Sequence, residues 1–153
     1  MSEVKKYLEA VVEAFEKFKM PKPPEFRYRS IEDFVLKCGR DMGARSPLSC
    51  GIPRGTPKQC FCNAYRHVIA GKLEYCEGFA TSGIMPVLHA WLIDLDGNVI
   101  DPTWEDGVEY YGVQFDTEFV VRTVLARGCY GVIDNWELKW PLLRGDETWK
   151  RKF

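Results

Sequence analysis

An α+β fold is what this sequence predicts, with helices from the first half packed on an antiparallel sheet from the second. Three observations carry that expectation. Apolar residues recur at helical spacing near the N-terminus, and extended runs broken by an Asp-Gly turn follow position 73. The chain has 153 residues, enough for one domain with one core.

The elements follow in order. Val4, Tyr7, Leu8, Val11, Val12, Phe15 and Phe18 form one stripe with Glu and Lys between them, predicting a helix over residues 3–19. Pro21, Pro23 and Pro24 end it, because proline has no N–H to continue the ladder. Ser30 followed by Asp33 resembles a capping box, and Ile31, Phe34, Val35 and Cys38 make a short apolar stripe. A second helix over 31–39, stopped by Gly39, is expected. From Gly43 to Lys58 the chain is rich in Gly, Pro and Ser, and a long irregular stretch is expected there. Phe61, Ala64, Tyr65, Val68 and Ile69 predict a helix over 60–70, closed by Gly71. Leu73–Ala80, Val87–Leu95 and Asn98–Thr103 read as strands. Asp116-Thr117-Glu118 opens a last helix over 117–127, ended by Gly128. Residues 129–140 suggest one or two further strands.

Charge and composition exclude several functions. Lys and Arg number 21 against 22 Asp and Glu. No cationic excess exists to neutralise phosphates, so neither nucleic acid nor an anionic membrane is an expected partner. No apolar run reaches the ~18 residues of a membrane-spanning helix. The opening Met-Ser-Glu-Val-Lys-Lys leads into no signal-peptide core, so the expected compartment is the cytoplasm. Six cysteines, at 38, 50, 60, 62, 76 and 129, are then read as free thiols. The only histidines are His67 and His89, and any mechanism that needs an imidazole must use one of them.

Cys60, His89 and Asp101 stand out together. Cys60 heads a predicted helix, whose N-terminus carries partial positive charge and free N–H groups that favour a thiolate and can bind an oxyanion. Arg54 and Lys58 add positive charge upstream. His89 and Asp101 lie on successive predicted strands. A thiolate, an imidazole that carries a proton and a carboxylate that orients it are the parts of nucleophilic catalysis by cysteine. The hairpin between the two strands tests this. A two-residue Asp96-Gly97 loop would put His89 and Asp101 on opposite faces. A three-residue loop, Leu95-Asp96-Gly97 with Gly97 left-handed, sets Asp94 opposite Asn98, Trp91 opposite Asp101 and His89 opposite Thr103. His89 and Asp101 then share a face as diagonal neighbours, with Cα atoms roughly 7–8 Å apart. The sequence permits both registers, and the second is favoured.

Other readings compete. Cys62 is the rival nucleophile, but on a helix it points well round from Cys60. His67 faces another way on the same helix and reads as a surface or packing residue. Gln59 or Asn63 can offer a second oxyanion donor. Trp91 and Trp104, beside the base and its orienter, are candidates for a substrate groove. Zinc at Cys60 and Cys62 is disfavoured, because ligands at i and i+2 on a helix diverge and no pair of C-x2-C knuckles exists. No metal or other cofactor is expected. The Gly43–Lys58 loop runs into the nucleophile and is expected to form one wall of the cleft, with Arg45 and Arg54 biasing it toward anionic acyl substrates. A solvated linker is the alternative.

Several strings resemble a known family. Lys58-Gln59-Cys60-Phe61-Cys62-Asn63-Ala64 resembles the C-aromatic-x-N-A nucleophile motif of small transglutaminase-like, papain-like proteins of bacteria and phages. Tyr75-Cys76-Glu77-Gly78-Phe79-Ala80 looks like that group's Y-x-E-G-aromatic strand. His89-Ala90-Trp91 is similar to its H-A-W segment, and Asp101-Pro102-Thr103-Trp104 to its D-P-T-W segment. Tyr111-Gly112-Val113-Gln114-Phe115 matches the Y-G-V-x-F segment that follows. The resemblance spans residues 58–115, after a helical part over 1–57 within a single domain of 1–153. It implies a papain-like or transglutaminase-like fold, with Cys60 as nucleophile, His89 as base and Asp101 as orienter. The implied chemistry is acyl transfer or amide hydrolysis through a thioester. The expected partner is a peptide or protein substrate, or a small amide or acyl compound. A peptide- or protein-binding module on the same fold, without turnover, is the alternative. The roles of Asn63 and Glu77 stay open: Asn63 can bond the loop before its helix, and Glu77 can be a buried, paired carboxylate.

Overall fold

The computed structural model describes residues 2–48, 51–71 and 73–151. Among the described residues, four helices and one six-stranded sheet make a mixed α+β fold. Helix α1, Glu3–Lys17, is capped by Ser2, whose side chain accepts from the Lys5 N–H. The Glu109 carboxylate accepts from the N–H groups of Glu3 and Val4 at 3.1 and 3.0 Å, satisfying two more of the helix's orphan donors. The apolar stripe buries Val4 and Leu8 completely. Helix α2, Ile31–Cys38, is capped by Ser30, which accepts from the Asp33 N–H at 3.1 Å. The return bond of the capping box is displaced by one residue, because Asp33 accepts from the N–H of Arg29 and not of Ser30. Gly39 ends α2 where a Cβ would stand 2.7 Å from Gly112 O, so no side chain fits.

The remaining elements are β1 (Arg40–Gly43), β2 (Arg45–Ser46), α3 (Cys60–Ile69), β3 (Glu74–Thr81), β4 (Val87–Ile93), β5 (Val99–Ile100), β6 (Glu109–Gln114) and α4 (Thr117–Arg127). Asp116 caps α4 by accepting from Phe119 N–H, and Gly128 closes it at a φ of 74°. The sheet order is β1-β6-β3-β4-β5-β2. Its pairings are antiparallel except for β2, which runs parallel to β5 at one edge.

Four expectations are corrected here. The sheet is not wholly antiparallel. The stretch from Gly43 to Lys58 is not irregular throughout, because β2 lies within it. The strand expected over 98–103 stops at Ile100. Residues 129–140 form turns and bends with no strand. The reason for the last lies in β3. The buried Glu77 carboxylate accepts the N–H groups of Val132 and Ile133 at 2.9 and 2.7 Å, with the Tyr75 hydroxyl at 2.5 Å. Those N–H groups therefore have a carboxylate partner in place of a strand. Burial raises the Glu77 pKa, while the three donors and the Arg127 charge pull it down.

The sheet separates two apolar clusters. Tyr75, Phe79, Ala90, Leu92, Tyr111 and Val113 meet the helices in the main core. Cys76, Ala80, Trp91, Ile93, Val99 and Tyr110 form a smaller cluster, with Met42 and Trp104 packed on it. Successive strand residues alternate between faces, so His89 points the same way as Trp91, toward the smaller cluster. Among the described residues, no helix is long and apolar enough to cross a membrane.

Candidate active site

The site assembles where α3 begins, at the start of β4 and in the turn after β5. Lys58 adopts a φ of 65°, in the left-handed region that favours glycine, and this turns the chain sharply into α3. Gln59 occupies the N-cap without a side-chain capping bond, and the residue is exposed. Cys60 is the first residue of α3 and is 9% exposed.

His89 and Asp101 are brought together by the hairpin. Leu92 pairs with Ile100 and Ile93 with Val99, which is the three-residue-loop register. Asp94 N–H donates to Asn98 O, Gly97 N–H donates to Asp94 O, and Gly97 sits at a φ of 83°. With one face thus shared, His89 Nε2 lies 2.8 Å from Asp101 Oδ2. The ladder does not continue to the expected Trp91–Asp101 and His89–Thr103 pairs. Asp101 Oδ1 accepts the N–H groups of Thr103 and Trp104 at 2.9 and 3.1 Å, folding the chain into an Asx turn.

Asp101 Oδ2 also accepts the Tyr110 hydroxyl, at 2.5 Å. The carboxylate therefore receives four hydrogen bonds while 1% exposed. Burial disfavours its charge, but the His89, Tyr110 and Thr103 donors outweigh burial and hold its pKa below the usual value. For His89 the balance has the opposite sign. Burial opposes the imidazolium, but hydrogen bonds to Asp101 and Cys60, with their charges, push it up to about 9. Since Nε2 is engaged by Asp101, Nδ1 is the nitrogen left to face the Cys60 thiol. Tyr110 is raised by burial and by the Asp101 charge, so its hydroxyl stays a proton donor.

The Trp104 ring stacks on His89, with centroids 3.9 Å apart and planes at 21°. Trp91 does not line a groove as expected. It is fully buried, packs edge-on against Tyr110 at 5.0 Å and donates Nε1–H to Met42 Sδ at 3.3 Å. The cause is its shared face with His89, which places it in the smaller cluster. Asn63 is also unavailable as an oxyanion donor. Its Nδ2 donates to Thr56 O at 2.9 Å and Thr103 Oγ1 at 2.8 Å, so both amide hydrogens are used. It ties the loop before α3 to the turn after Asp101. Gly55 leaves room for that amide, which any Cβ would overlap, and donates its N–H to Pro102 O at 2.7 Å. The loop before Cys60 is therefore bonded to the site over Gly55–Thr56, unlike a free linker. Arg54 pairs with Glu105 at 3.2 Å.

The other thiols and the other imidazole lie elsewhere. Cys62 acts on Tyr130, in the chain after α4, and raises the pKa of its hydroxyl. His67 is half-buried near the end of α3, where desolvation lowers its pKa. Cys76 lies buried in β3, and burial raises its thiol pKa. Cys38 and Cys129 are partly exposed free thiols, and Cys50 lies outside the described residues. Among the described residues, no three His, Cys, Asp or Glu side chains converge as metal ligands would. Two members of the site carried no sequence signal: Tyr110, on a strand whose apolar residues fall on both faces, and Thr103 as the partner of Asn63. Comparison with protein-family models, curated proteins and solved structures returned no match.

Proposed function

We propose that this chain is a thiol hydrolase or acyltransferase with a papain-like or transglutaminase-like architecture. One observation carries the reading: His89 is held at 2.8 Å by a buried, four-fold hydrogen-bonded Asp101 and feels Cys60, which stands at a helix start. Cys60 passes its proton to Nδ1 and attacks the carbonyl carbon of an amide, ester or thioester. The oxyanion that forms is met by the free N–H groups of the first turn of α3. As the carbonyl re-forms, the bond to the leaving group breaks and His89 protonates it, leaving a thioester on Cys60. His89 then takes a proton from water or an amine, which attacks the thioester and releases the acyl product. A peptide or protein, or a small amide or acyl compound, fits this chemistry.

p-Nitrophenyl acetate tests it without knowledge of the natural substrate. A burst of p-nitrophenolate near one equivalent, with intact mass and peptide mapping placing the acetyl group on Cys60, is expected. His89→Ala should slow the burst and Cys60→Ala should abolish it. An unacylated Cys60, or one acylated no faster than Cys38 and Cys129, overturns the proposal and favours a binding module without turnover.

A further inference from the structure

We propose that Tyr110 is a positioning residue for His89, acting through Asp101: its hydroxyl shares the carboxylate oxygen that receives His89 Nε2 and limits how tightly Asp101 holds the imidazole proton. The inference rests on the catalytic reading of Cys60, His89 and Asp101. Both donors converge on Oδ2, Tyr110 at 2.5 Å and His89 at 2.8 Å, while Oδ1 is occupied by the two backbone N–H groups of the Asx turn. The backbone bonds fix the carboxylate. What the hydroxyl adds is a second claim on the charge that faces the imidazole. A base held by an unshared, buried carboxylate keeps its proton too well to give it to a leaving group.

The surroundings are built to keep that hydroxyl in place. Tyr110 is fully buried on β6, between the pairings of that strand with β1 and β3. Gly107 packs so closely on the ring that any Cβ there would overlap the hydroxyl. Other charges act on the pair from neighbouring elements. Cys60 on α3 faces His89, while Arg45 on β2 and Asp106 in the loop before β6 act on Tyr110 with opposite sign. The nearby Arg54–Glu105 pair is internally compensated.

Because the chain holds only two histidines, each can be titrated by NMR through its Cε1–H resonance, with His67 as an internal control. Tyr110→Phe should raise the His89 midpoint by about half a pH unit or more, a roughly threefold gain in proton affinity, and leave His67 unmoved. The alkaline limb of Cys60 alkylation by iodoacetate, an anion drawn in by the imidazolium, should move by the same amount. If Tyr110→Phe does not fold, Gly107→Ala displaces the hydroxyl instead and should give the same upward shift. A purely structural tyrosine would lower the melting temperature and leave the His89 midpoint in place, and an unchanged or lower midpoint overturns the inference. The titration needs no substrate. Failure of Cys60 to form the thioester is therefore read separately and overturns the catalytic reading itself.

Discussion

Replacing Asp101 by Asn keeps the shape of the side chain and reverses one end of its hydrogen bonding. Two backbone N–H groups meet Oδ1, so the amide oxygen must take that place. The NH2 group then stands where Oδ2 received His89 Nε2 and the Tyr110 hydroxyl. Nε2 must now accept, and the ring proton moves to Nδ1, on the Cys60 side. In that tautomer His89 cannot take the thiol proton. The size of the effect follows from the imidazole itself. Its pKa rises from 6.5 to about 9, roughly a 300-fold gain in proton affinity. Asp101 and Cys60 both raise it, so losing the Asp101 charge removes part of that gain. Alkylation of Cys60 by iodoacetate at pH 7 is therefore expected to fall, by up to about 300-fold, in Asp101→Asn. Mass mapping at limiting reagent would follow it, with Cys38 and Cys129 as unaffected controls. A fall of less than about threefold, with Cys60 still labelled first, would refute the assignment of Asp101 as orienter.

Stability should also depend on pH in a direction set by the same groups. With a folded pKa raised to about 9 against 6.5, His89 contributes fully below about pH 6.5, and its roughly 3 kcal/mol is lost as the pH rises through 9. The lowered pKa of Asp101 acts in acid, its contribution being lost as the pH falls below its ordinary value of 3.8. Calorimetry from about pH 5 to pH 10 should show a melting temperature that declines on the alkaline side, and a flat profile would contradict the His89–Asp101 geometry. Asn63→Ala removes the two bonds that tie Thr56 to Thr103, and should cost about 2–3 kcal/mol in urea unfolding. It should also speed tryptic cleavage at Arg54 several-fold, and unchanged cleavage would mean that the loop is held by something other than Asn63. Glu77→Gln presents an NH2 group to a shell of three donors, at an expected cost of about 2–4 kcal/mol. A cost under about 1 kcal/mol would show that the buried carboxyl already carries a proton.

Where local chemistry decides the structure, the sequence was readable. Ser30 and Asp116 cap the helices they were expected to open, and Gly128 takes the left-handed residue that closes α4. The hairpin register was legible only as a preference between two, favoured because Gly97 alone in that turn accepts a positive φ at no steric cost. Strand β6 was not legible. Tyr110 and Gly112 face one side and Tyr111 and Val113 the other, and all four are buried, so no polar alternation marks it. Val132 and Ile133 looked like a strand for the converse reason. They are apolar and β-branched, but their N–H groups belong to a carboxylate 55 and 56 residues away. At the site, Cys60, His89 and Asp101 follow from residue type and turn geometry. The burial of Trp91 and the engagement of Asn63 depend on what lies across the sheet and across the loop, which spacing does not encode.

The stack of Trp104 on His89 has an optical consequence. With the rings 3.9 Å apart and nearly parallel, the indole face meets the imidazole face, and a positive ring is attracted there more than a neutral one. The contact thus adds to the forces that keep the proton on His89. It also gives the excited indole an electron acceptor at van der Waals distance whenever that proton is present. Trp104 emission is then quenched while His89 is an imidazolium and recovers as the ring loses its charge. The other tryptophans, at 91, 136, 140 and 149, contribute a background that single Trp→Phe changes can subtract. The protein carries its own fluorescent indicator of the protonation state on which the proposed chemistry turns, readable in stopped flow without a label or a substrate.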